Sequence, residues 1–413
     1  MQPALPASPP DRAAVQAAAP ERWGPVLALA GLHGAVSLAW VAYNLYLVEL
    51  LVRAGFDAWL ATVLLTVEGL LGGIIEPITG RLSDRVRSGI FRRFFLVMGG
   101  VLLAALLFLA LPLAAVGARP GPATLVPALL VAWALAMAVF RAPALSLLAR
   151  HARPATLPLA ASVLTTAGAL VGAAAPSARA WLLSLGPGPT FAAASAALVL
   201  TALVVQAQER RRPLETAGVP QVTPAPLDRW QVHAAWLLML VGTSSALALR
   251  FLLDGLPRAG AGPGAPAPAI TTSFFLGMVL SALPAGRTAL GRIGGGPVTL
   301  TGLAGLMLGA ITFPHLEEAA AVLLTAALMG AALAAVQNGL FAWSLCAVRT
   351  ERSGLGMGLL FGGGGLALAS FNLLVAVRKP APGTSLLAAA GLYAVTLALL
   401  GALRQTTRRR PLA

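Results

Sequence analysis

Long apolar stretches alternate with short polar segments along nearly the whole chain. Each stretch has about twenty residues or more, the length that an α-helix needs to cross the hydrocarbon core of a bilayer. The pattern predicts about twelve spans in two groups of six, with limits 26–50, 58–79, 94–116, 123–148, 157–181 and 188–207, then 230–253, 268–286, 297–314, 318–345, 354–377 and 384–403. We therefore predict an all-α membrane protein built from two six-helix bundles.

The polar segments divide this chain into domains. Residues 208–229 contain three consecutive arginines and four prolines, which predicts an extended cytoplasmic linker between the bundles 26–207 and 230–403. Residues 1–25 are rich in alanine and proline and lack the apolar core of a signal peptide, so we expect a disordered cytoplasmic tail. Residues 404–413 predict a basic cytoplasmic tail.

Composition supports a membrane protein and excludes a nucleic-acid-binding one. The 413 residues are 58% hydrophobic and only 10% charged, whereas a soluble domain has about 25% charged residues. The net charge of +15 comes from arginines in short clusters between apolar stretches rather than on one face. With both termini in the cytoplasm, 21 basic residues fall on that side and 7 on the other. This bias predicts an integral protein of the plasma (inner) membrane with both termini cytoplasmic.

Charge is rare and costly at membrane depth, and three ionisable residues of the predicted spans are candidates for function on that ground. Glu68 is near the middle of its span and is either a proton or substrate site facing a cavity, or a protonated group bonded to a neighbouring helix. Glu76 takes part in coupling or in a gate, or its side chain simply extends to water at the membrane surface. If the fourth helix continues to Ala149, Arg141 is about 12 Å inside it and closest in depth to Glu76. If that helix stops at Phe140, Arg141 is an interfacial anchor.

Further polar and aromatic residues predict a substrate path. The first span carries a stripe at helical spacing that would be wasteful if it faced lipid, and its composition suits a sugar-like ligand as well as helix packing. The second half has polar residues on its tenth and eleventh spans, but no deep acid. The candidates are His33, Ser37, Trp40, Tyr43 and Asn44 in the first half, and Gln337, Asn338, Phe341 and Asn372 in the second.

The usual signatures of enzymes and cofactor sites are missing from the sequence. The four histidines are far apart, so we expect no metal site, and no Walker motif indicates ATP as the energy source. The single cysteine, Cys346, forms no internal disulfide. Gly354, Gly358 and Gly362 are spaced by four, which permits close contact between helices. We predict a protein that is not an enzyme and needs no cofactor.

A charged segment, 76–87, follows the second apolar stretch and reads E-P-I-T-G-R-L-S-D-R-V-R. Charges and free backbone groups cannot lie unpaired in hydrocarbon, so we expect a tight loop at the membrane surface. Five arginines make that surface cytoplasmic, namely Arg81, Arg85, Arg87, Arg92 and Arg93.

The string G-R-L-S-D-R in this segment resembles the loop between the second and third helices of major facilitator superfamily transporters. The resemblance implies two six-helix bundles around a central path that opens alternately to each side. It also implies that Gly80 gives close helix contact and that Arg81, Asp84 and Arg85 belong to a cytoplasmic gate. The chain would then be a monomer that moves a small-molecule substrate across the lipid bilayer.

The longer string, with Glu76 and Pro77, is similar to the glycoside–pentoside–hexuronide:cation symporter branch of that superfamily. That branch has a second carboxylate where this chain has Gly72, which removes a ligand for Na⁺. Glu68 could replace it for a proton, so we predict a proton-coupled transporter of a sugar- or glycoside-like substrate. The alternatives are an exporter of lipids or drugs with the same fold, and a membrane scaffold or assembly factor that transports nothing.

Overall fold

The computed structural model describes residues 23–85, 90–116, 124–210, 226–262, 264–290 and 296–408. Within these ranges, twelve helices are long and apolar enough to cross a membrane. In chain order they are α1 Trp23–Arg53, α2 Trp59–Arg85, α3 Ile90–Val116, α4 Leu125–Leu145, α5 Leu157–Leu185, α6 Pro187–Arg210, α7 Arg229–Gly260, α8 Ala267–Thr288, α9 Gly296–Thr312, α10 Ala319–Ser344, α11 Ser353–Val377 and α12 Pro382–Arg408. The predicted number and order of the spans are confirmed.

Local signals explain several helix ends. Asp228 caps α7 through a reciprocal pair of hydrogen bonds with Gln231, and its backbone N–H lies 3.2 Å from the Gln231 side-chain oxygen. The turn between α5 and α6 contains Gly186, whose φ of 78° is the left-handed conformation that glycine adopts without strain. A short helical turn, Leu148–His151, continues the span of α4.

The two halves repeat one packing order. In the first half, α1 packs against α5 and α6, α4 packs against α2 and α3, and α3 contacts α6. In the second half, α7 packs against α11 and α12, α10 packs against α8 and α9, and α9 contacts α12. Each half is therefore a six-helix bundle. Helices α1 to α6 of the first half correspond in order to α7 to α12 of the second, and corresponding helices have corresponding neighbours.

The segment predicted as a tight surface loop is instead helical. Helix α2 continues through Gly80 and ends at Arg85. The expectation was wrong because a helix satisfies its own backbone groups, so the chain needs no loop to leave the hydrocarbon. Arg81 and Arg85 are exposed on the last turns of this helix, whereas Asp84 is buried. The same turns therefore present basic groups to one side and an acid to the other.

Several predicted segments lie wholly or partly outside the described residues. They are the tail up to residue 22, Arg87, the side chains of Arg92 and Arg93, the linker from 211 to 225, and residues 409–413. Where the boundaries are described, helix extends beyond the predicted limits: α6 runs to Arg210, α7 begins at Arg229 and α12 continues to Arg408.

One end of the bundle carries the arginines of the helix ends and is called the basic end. Its described basic residues include Arg81, Arg85, Arg150, Arg153, Arg210, Arg229, Arg287, Arg349, Arg352 and Arg404. The two halves meet there along α2 and α11 and along α5 and α8. A Cβ on Gly80 would overlap the carbonyl oxygen of Gly354, and a Cβ on Gly358 would overlap that of Glu76. Glycines thus let α2 and α11 touch through their backbones.

Hydrogen bonds and glycine contacts between the halves reach from the basic end to about mid-depth. Along α2 and α11 they run from Asp84 and Gly354 to Gly69, whose Cβ would lie 2.8 Å from the amide nitrogen of Ala369. Along α5 and α8 they reach Thr272, whose hydroxyl donates to a carbonyl oxygen of α5 at 3.4 Å. Beyond these levels, no hydrogen bond or ring contact joins the halves among the residues described. The described polar, aromatic and glycine contacts between the halves thus extend from the basic end to these levels.

Candidate functional site

Asp84 ties the halves together at the basic end. Its carboxylate accepts hydrogen bonds from the backbone N–H groups of Gly354 at 2.9 Å and Leu355 at 2.8 Å. These are first-turn donors of α11, which have no acceptor within that helix, and the carboxylate also faces the positive end of the helix dipole. An acid from the first half therefore caps a helix of the second, and the contact exists only while the basic end is closed.

Basic groups surround this contact. Burial, and next the positive charge of Arg81, lower the pKa of Arg352, while the negative charge of Asp84 acts in the opposite direction. Arg81 and Arg85, predicted as gate residues, are exposed beside the closed contact. Of the four predicted gate residues, Gly80 and Asp84 therefore make the described contact with α11.

Further inside the molecule, an ion pair joins α2 to α4. A terminal nitrogen of Arg141 donates to Oε1 of Glu76, whose side chain is only 2% exposed. Because α4 continues to Leu145, Arg141 lies within the helix, as the longer of the two predicted helices requires. Oε2 of Glu76 and Nε of Arg141 are buried and lack a hydrogen-bond partner within the described part of the chain. The pair therefore retains both acceptor and donor capacity.

Aromatic residues of the second half cover this ion pair. The guanidinium of Arg141 lies 4.5 Å from the ring centre of Phe361 on α11, a cation–π contact between the halves. The ring of His33 on α1 meets Phe341 of α10 edge-on at 5.9 Å. A Cβ on Gly168 of α5 would lie 3.2 Å from Nε2 of His33. The ion pair and its neighbours thus bring together residues of six helices from both halves.

Glu68 lies deeper, on the same helix as Glu76. It is nine residues into α2, or about 14 Å from the opposite end of that helix. Its side chain is buried at 5% exposure, and Oε1 accepts a hydrogen bond from the hydroxyl of Tyr43 on α1. Oε2 is buried without a partner among the described residues. One carboxylate oxygen is therefore held and the other is free to bind a proton or a ligand.

A stack of aromatic rings supports this carboxylate. Trp133 of α4 is fully buried and stacks on Tyr43 at 4.6 Å and on Phe108 of α3 at 4.5 Å. Trp40 meets Trp133 edge-on at 5.0 Å. The indole N–H groups of both tryptophans are buried and unpartnered within the described residues. The stack fixes the ring of Tyr43 and hence the position of Glu68.

The other predicted path residues are divided between the axis and the bundles. Ser37 bonds to the backbone of α1 at 3.0 Å beside His33, and Asn44 is exposed on the same helix. Gln337 is half-buried, one helical turn from Phe341. Asn338 is buried in the second bundle, where its amide donates to the carbonyl of Ala282 on α8 at 2.8 Å, and its place in a substrate path stays a prediction. One residue along a helix turns a side chain by 100°, which separates these two neighbours.

Asn372 is the outermost of the predicted path residues. It is half-buried, near the opposite end of α11, and its Nδ2 is buried with no partner in the described structure. It continues the face of α11 that packs on α2, one turn beyond Ala369.

Two residues of this region were missed by sequence reasoning, and the depth of a third was misjudged. Trp133 had a usable signal, because a tryptophan in the middle of a span cannot be an interface anchor. Phe361 had none, since an apolar residue next to glycines is ordinary in a spanning helix. Arg250 was counted with the charges outside the membrane, yet it lies within α7, ten residues before the helix ends.

The arrangement places polar groups that can bind a ligand or a proton at membrane depth. Within the described ranges, no group of three or more histidine, cysteine or acidic residues could hold a metal ion. The buried groups are instead two carboxylates, one guanidinium and several unpartnered N–H donors at different depths along one axis. Such groups suit the recognition of a polar molecule and the uptake of a proton.

The fold matches solved transporter structures. The human organic anion transporter MFSD10 (TETRAN) superimposes with a TM-score of 0.67 at 16% identity, covering 92% of this chain and 100% of that one. A bacterial homologue of the iron transporter ferroportin in the outward-facing state gives 0.69 at 16% identity, covering 94% and 100%. Neither the family models nor the curated proteins gave a match. This chain therefore has the major facilitator fold, as predicted, while the symporter branch stays a prediction.

Proposed function

We propose that the protein is a secondary transporter that moves a small molecule by alternating access and couples this movement to protons through Glu68. The basic end is cytoplasmic in this proposal, so the described state is closed to the cytoplasm and faces outward. Support comes from the contacts that close the basic end, which are a helix cap and a cation–π contact between the halves. Both contacts can break together when one half rotates against the other as a rigid body.

Glu68 carries the coupling part of the proposal. An ionised carboxylate at this depth is costly, whereas a protonated one is much less so. Tyr43 holds one oxygen and leaves the other unpartnered within the described structure, so a proton can be accepted without breaking a bond. Opening to one side hydrates the group and allows release of the proton. Glu76, in contrast, is engaged by Arg141.

The substrate of this proposal is small and polar, such as a sugar or a glycoside. Support comes from Trp40 and Trp133, whose N–H groups are unpartnered among the described residues and belong to the ring cluster that contains Tyr43, the hydrogen-bond partner of Glu68. Rings that stack and donors that hydrogen-bond are the groups that bind sugars. A scaffold that transports nothing would not need these buried, unpartnered polar groups, whose burial costs free energy.

The test begins with a substrate. A thermal-shift screen of the purified protein against sugars, glycosides, lysolipids and drugs identifies compounds that stabilise it. The protein is then reconstituted in vesicles, and accumulation driven by an imposed pH step is compared with counterflow. Stabilisation by lysolipids or drugs alone would favour the exporter alternative.

Glu68→Gln keeps the shape of the side chain but cannot lose or gain a proton. We expect this variant to lose accumulation driven by the pH step while keeping counterflow of the same substrate. Glu49→Gln is the matched control, because Glu49 is an acid of α1 paired with Arg53 four residues away. Proton-driven accumulation that persists in Glu68→Gln would refute the coupling role.

A further inference from the structure

Two phenylalanines of the second half form one apolar surface beside the buried ion pair of the first half. The ring centres of Phe341 on α10 and Phe361 on α11 lie 5.9 Å apart, with their planes inclined at 53°. Phe361 lies over the guanidinium of Arg141, with 4.5 Å between Cζ and the ring centre. Phe341 meets the ring of His33 edge-on at 5.9 Å. We call these two phenylalanine rings the aromatic layer.

The aromatic layer lies between the helix cap at the basic end and the carboxylate of Glu68. Phe361 is seven residues after Gly354 on α11, or about 10 Å. On α2, Glu76 is eight residues before Asp84, and Glu68 is a further eight, or about 12 Å for each step. A proton or a molecule that moves along the axis from the basic end to Glu68 therefore passes the level of the layer.

The position of Phe361 depends on the contact between α2 and α11. A Cβ on Gly358 would overlap the backbone carbonyl of Glu76, and a Cβ on Gly362 would lie 2.9 Å from a proline ring of α2. Phe361 stands between these two glycines in the sequence, so the close approach of the backbones also brings its ring to Arg141. Separation of α2 from α11 would therefore remove the ring from the guanidinium.

The first half holds the guanidinium in place for this contact. Glu76, whose side chain is only 2% exposed, accepts a hydrogen bond from a terminal nitrogen of Arg141. An arginine keeps its charge in proteins, and the face of an aromatic ring attracts that charge. Apolar rings at a constriction also exclude water, and a constriction without water blocks the passage of ions and protons.

We propose that the aromatic layer is an inner gate that closes on Arg141 and separates Glu68 from the basic end in the described state. The inference rests on the alternating access proposed above and adds a second closure, deeper than the helix cap. Phe361 provides the contact with the charge, and Phe341 extends the apolar surface over His33.

Access through the gate is measured by labelling a cysteine placed beyond the layer. Helix α1 begins at the basic end, where a Cβ on Gly24 would lie 3.2 Å from Oε1 of Gln208 in the last turn of α6. Ser37 is half-buried and lies one turn deeper than His33 on α1, so Ser37→Cys in a background without Cys346 is the parent protein. A charged thiol reagent that does not cross membranes is applied to vesicles in which the basic end faces the medium.

Four variants of this parent are compared. Phe361→Leu and Phe341→Leu each remove one ring of the layer, whereas Phe361→Tyr keeps the ring face. Phe371→Leu is the matched control, because Phe371 is on the same helix but its ring meets Phe251 of its own half at 5.1 Å. Thermal unfolding of the purified proteins shows whether each variant is folded.

We expect slow labelling of the parent, because the layer is closed. While open molecules are a small fraction, the labelling rate is proportional to that fraction. Loss of a cation–π contact that is shielded from water should raise the rate about 5- to 30-fold in Phe361→Leu. Phe341→Leu should also be labelled faster, while Phe361→Tyr and Phe371→Leu should react like the parent. A parental rate in the layer variants, or an equal rise in Phe361→Tyr or Phe371→Leu, would overturn the gate.

Failure of the inner gate is separable from failure of alternating access. Asp84→Asn weakens the helix cap and should also raise labelling of the same cysteine. A rise in Asp84→Asn without one in the layer variants refutes the inner gate alone. No rise in any variant refutes opening at the basic end, and with it both the gate and alternating access.

Discussion

Replacing Asp84 by Asn should open the basic end of the molecule. The carboxylate accepts two backbone hydrogen bonds from α11, at 2.9 Å from Gly354 and 2.8 Å from Leu355. Asparagine has nearly the same shape, but it loses the charge, and one of its two terminal atoms becomes a donor that faces a donor. The closed state therefore loses one hydrogen bond and the interaction with the helix dipole, while the open state loses neither.

The size of the effect follows from these contacts. A hydrogen bond to a charged group contributes about 1.5–3 kcal/mol, and a charge at a helix N-terminus about 0.3–2 kcal/mol. Water replaces part of both when the gate opens, so the net loss is roughly 2–4 kcal/mol. At 1.4 kcal/mol per factor of ten, the ratio of closed to open molecules should fall roughly 30- to 1,000-fold.

Pulsed EPR distances between spin labels at the basic end measure this ratio. Arg85 and Arg349 are exposed on opposite halves and can be replaced by labelled cysteines in a background without Cys346. The Asp84→Asn variant should show a new population at longer distance. Glu351→Gln removes an exposed acid near the same contact and should leave the distances unchanged. Distances in Asp84→Asn that match the parent protein would refute the gating argument.

Two further predictions concern the contacts beside this gate. Arg141→Ala leaves Glu76 buried and unpaired, so thermal unfolding should show that the free energy of unfolding falls by about 3–5 kcal/mol. Part of this loss should return when Glu76 is also replaced by Ala. Purely additive losses would contradict the pairing. Gly80→Ala places a Cβ against the carbonyl of Gly354 and should also lengthen the basic-end distances, whereas Gly99→Ala, with open space around it, should not. Equal behaviour of the two alanine variants would count against close helix contact.

The architecture was readable from the sequence because the bilayer is a simple solvent. Each span must be apolar over about twenty residues and helical throughout, so its length and position appear directly in the hydropathy pattern. The predicted span 354–377 and helix α11, Ser353–Val377, differ by one residue. The sequence prediction was wrong at Gly80 to Arg85. The charges there correctly indicated that the span ends, but they could not show whether the backbone continues as a helix.

Side-chain partners were only partly readable. The placement of Arg141 near Glu76 could be derived because depth in a straight helix follows from residue number. The bond between Tyr43 and Glu68 could not, since it depends on how α1 and α2 are rotated about their axes. Helical spacing shows which residues share a face, but not which neighbour that face meets.

The sequence by itself determined the number of spans, the two bundles, the basic ends and the short set of polar residues at membrane depth. Tertiary structure alone decided that the amide of Asn338 bonds to α8, that Trp133 stacks on the Tyr43 ring that holds Glu68, and that Arg141 contacts Phe361 of the other half. The physical reason is that burial in lipid and contact with other helices depend on different properties of a helix. Burial in lipid depends on each helix separately, whereas contact between two helices depends on the rotation and separation that the whole bundle sets.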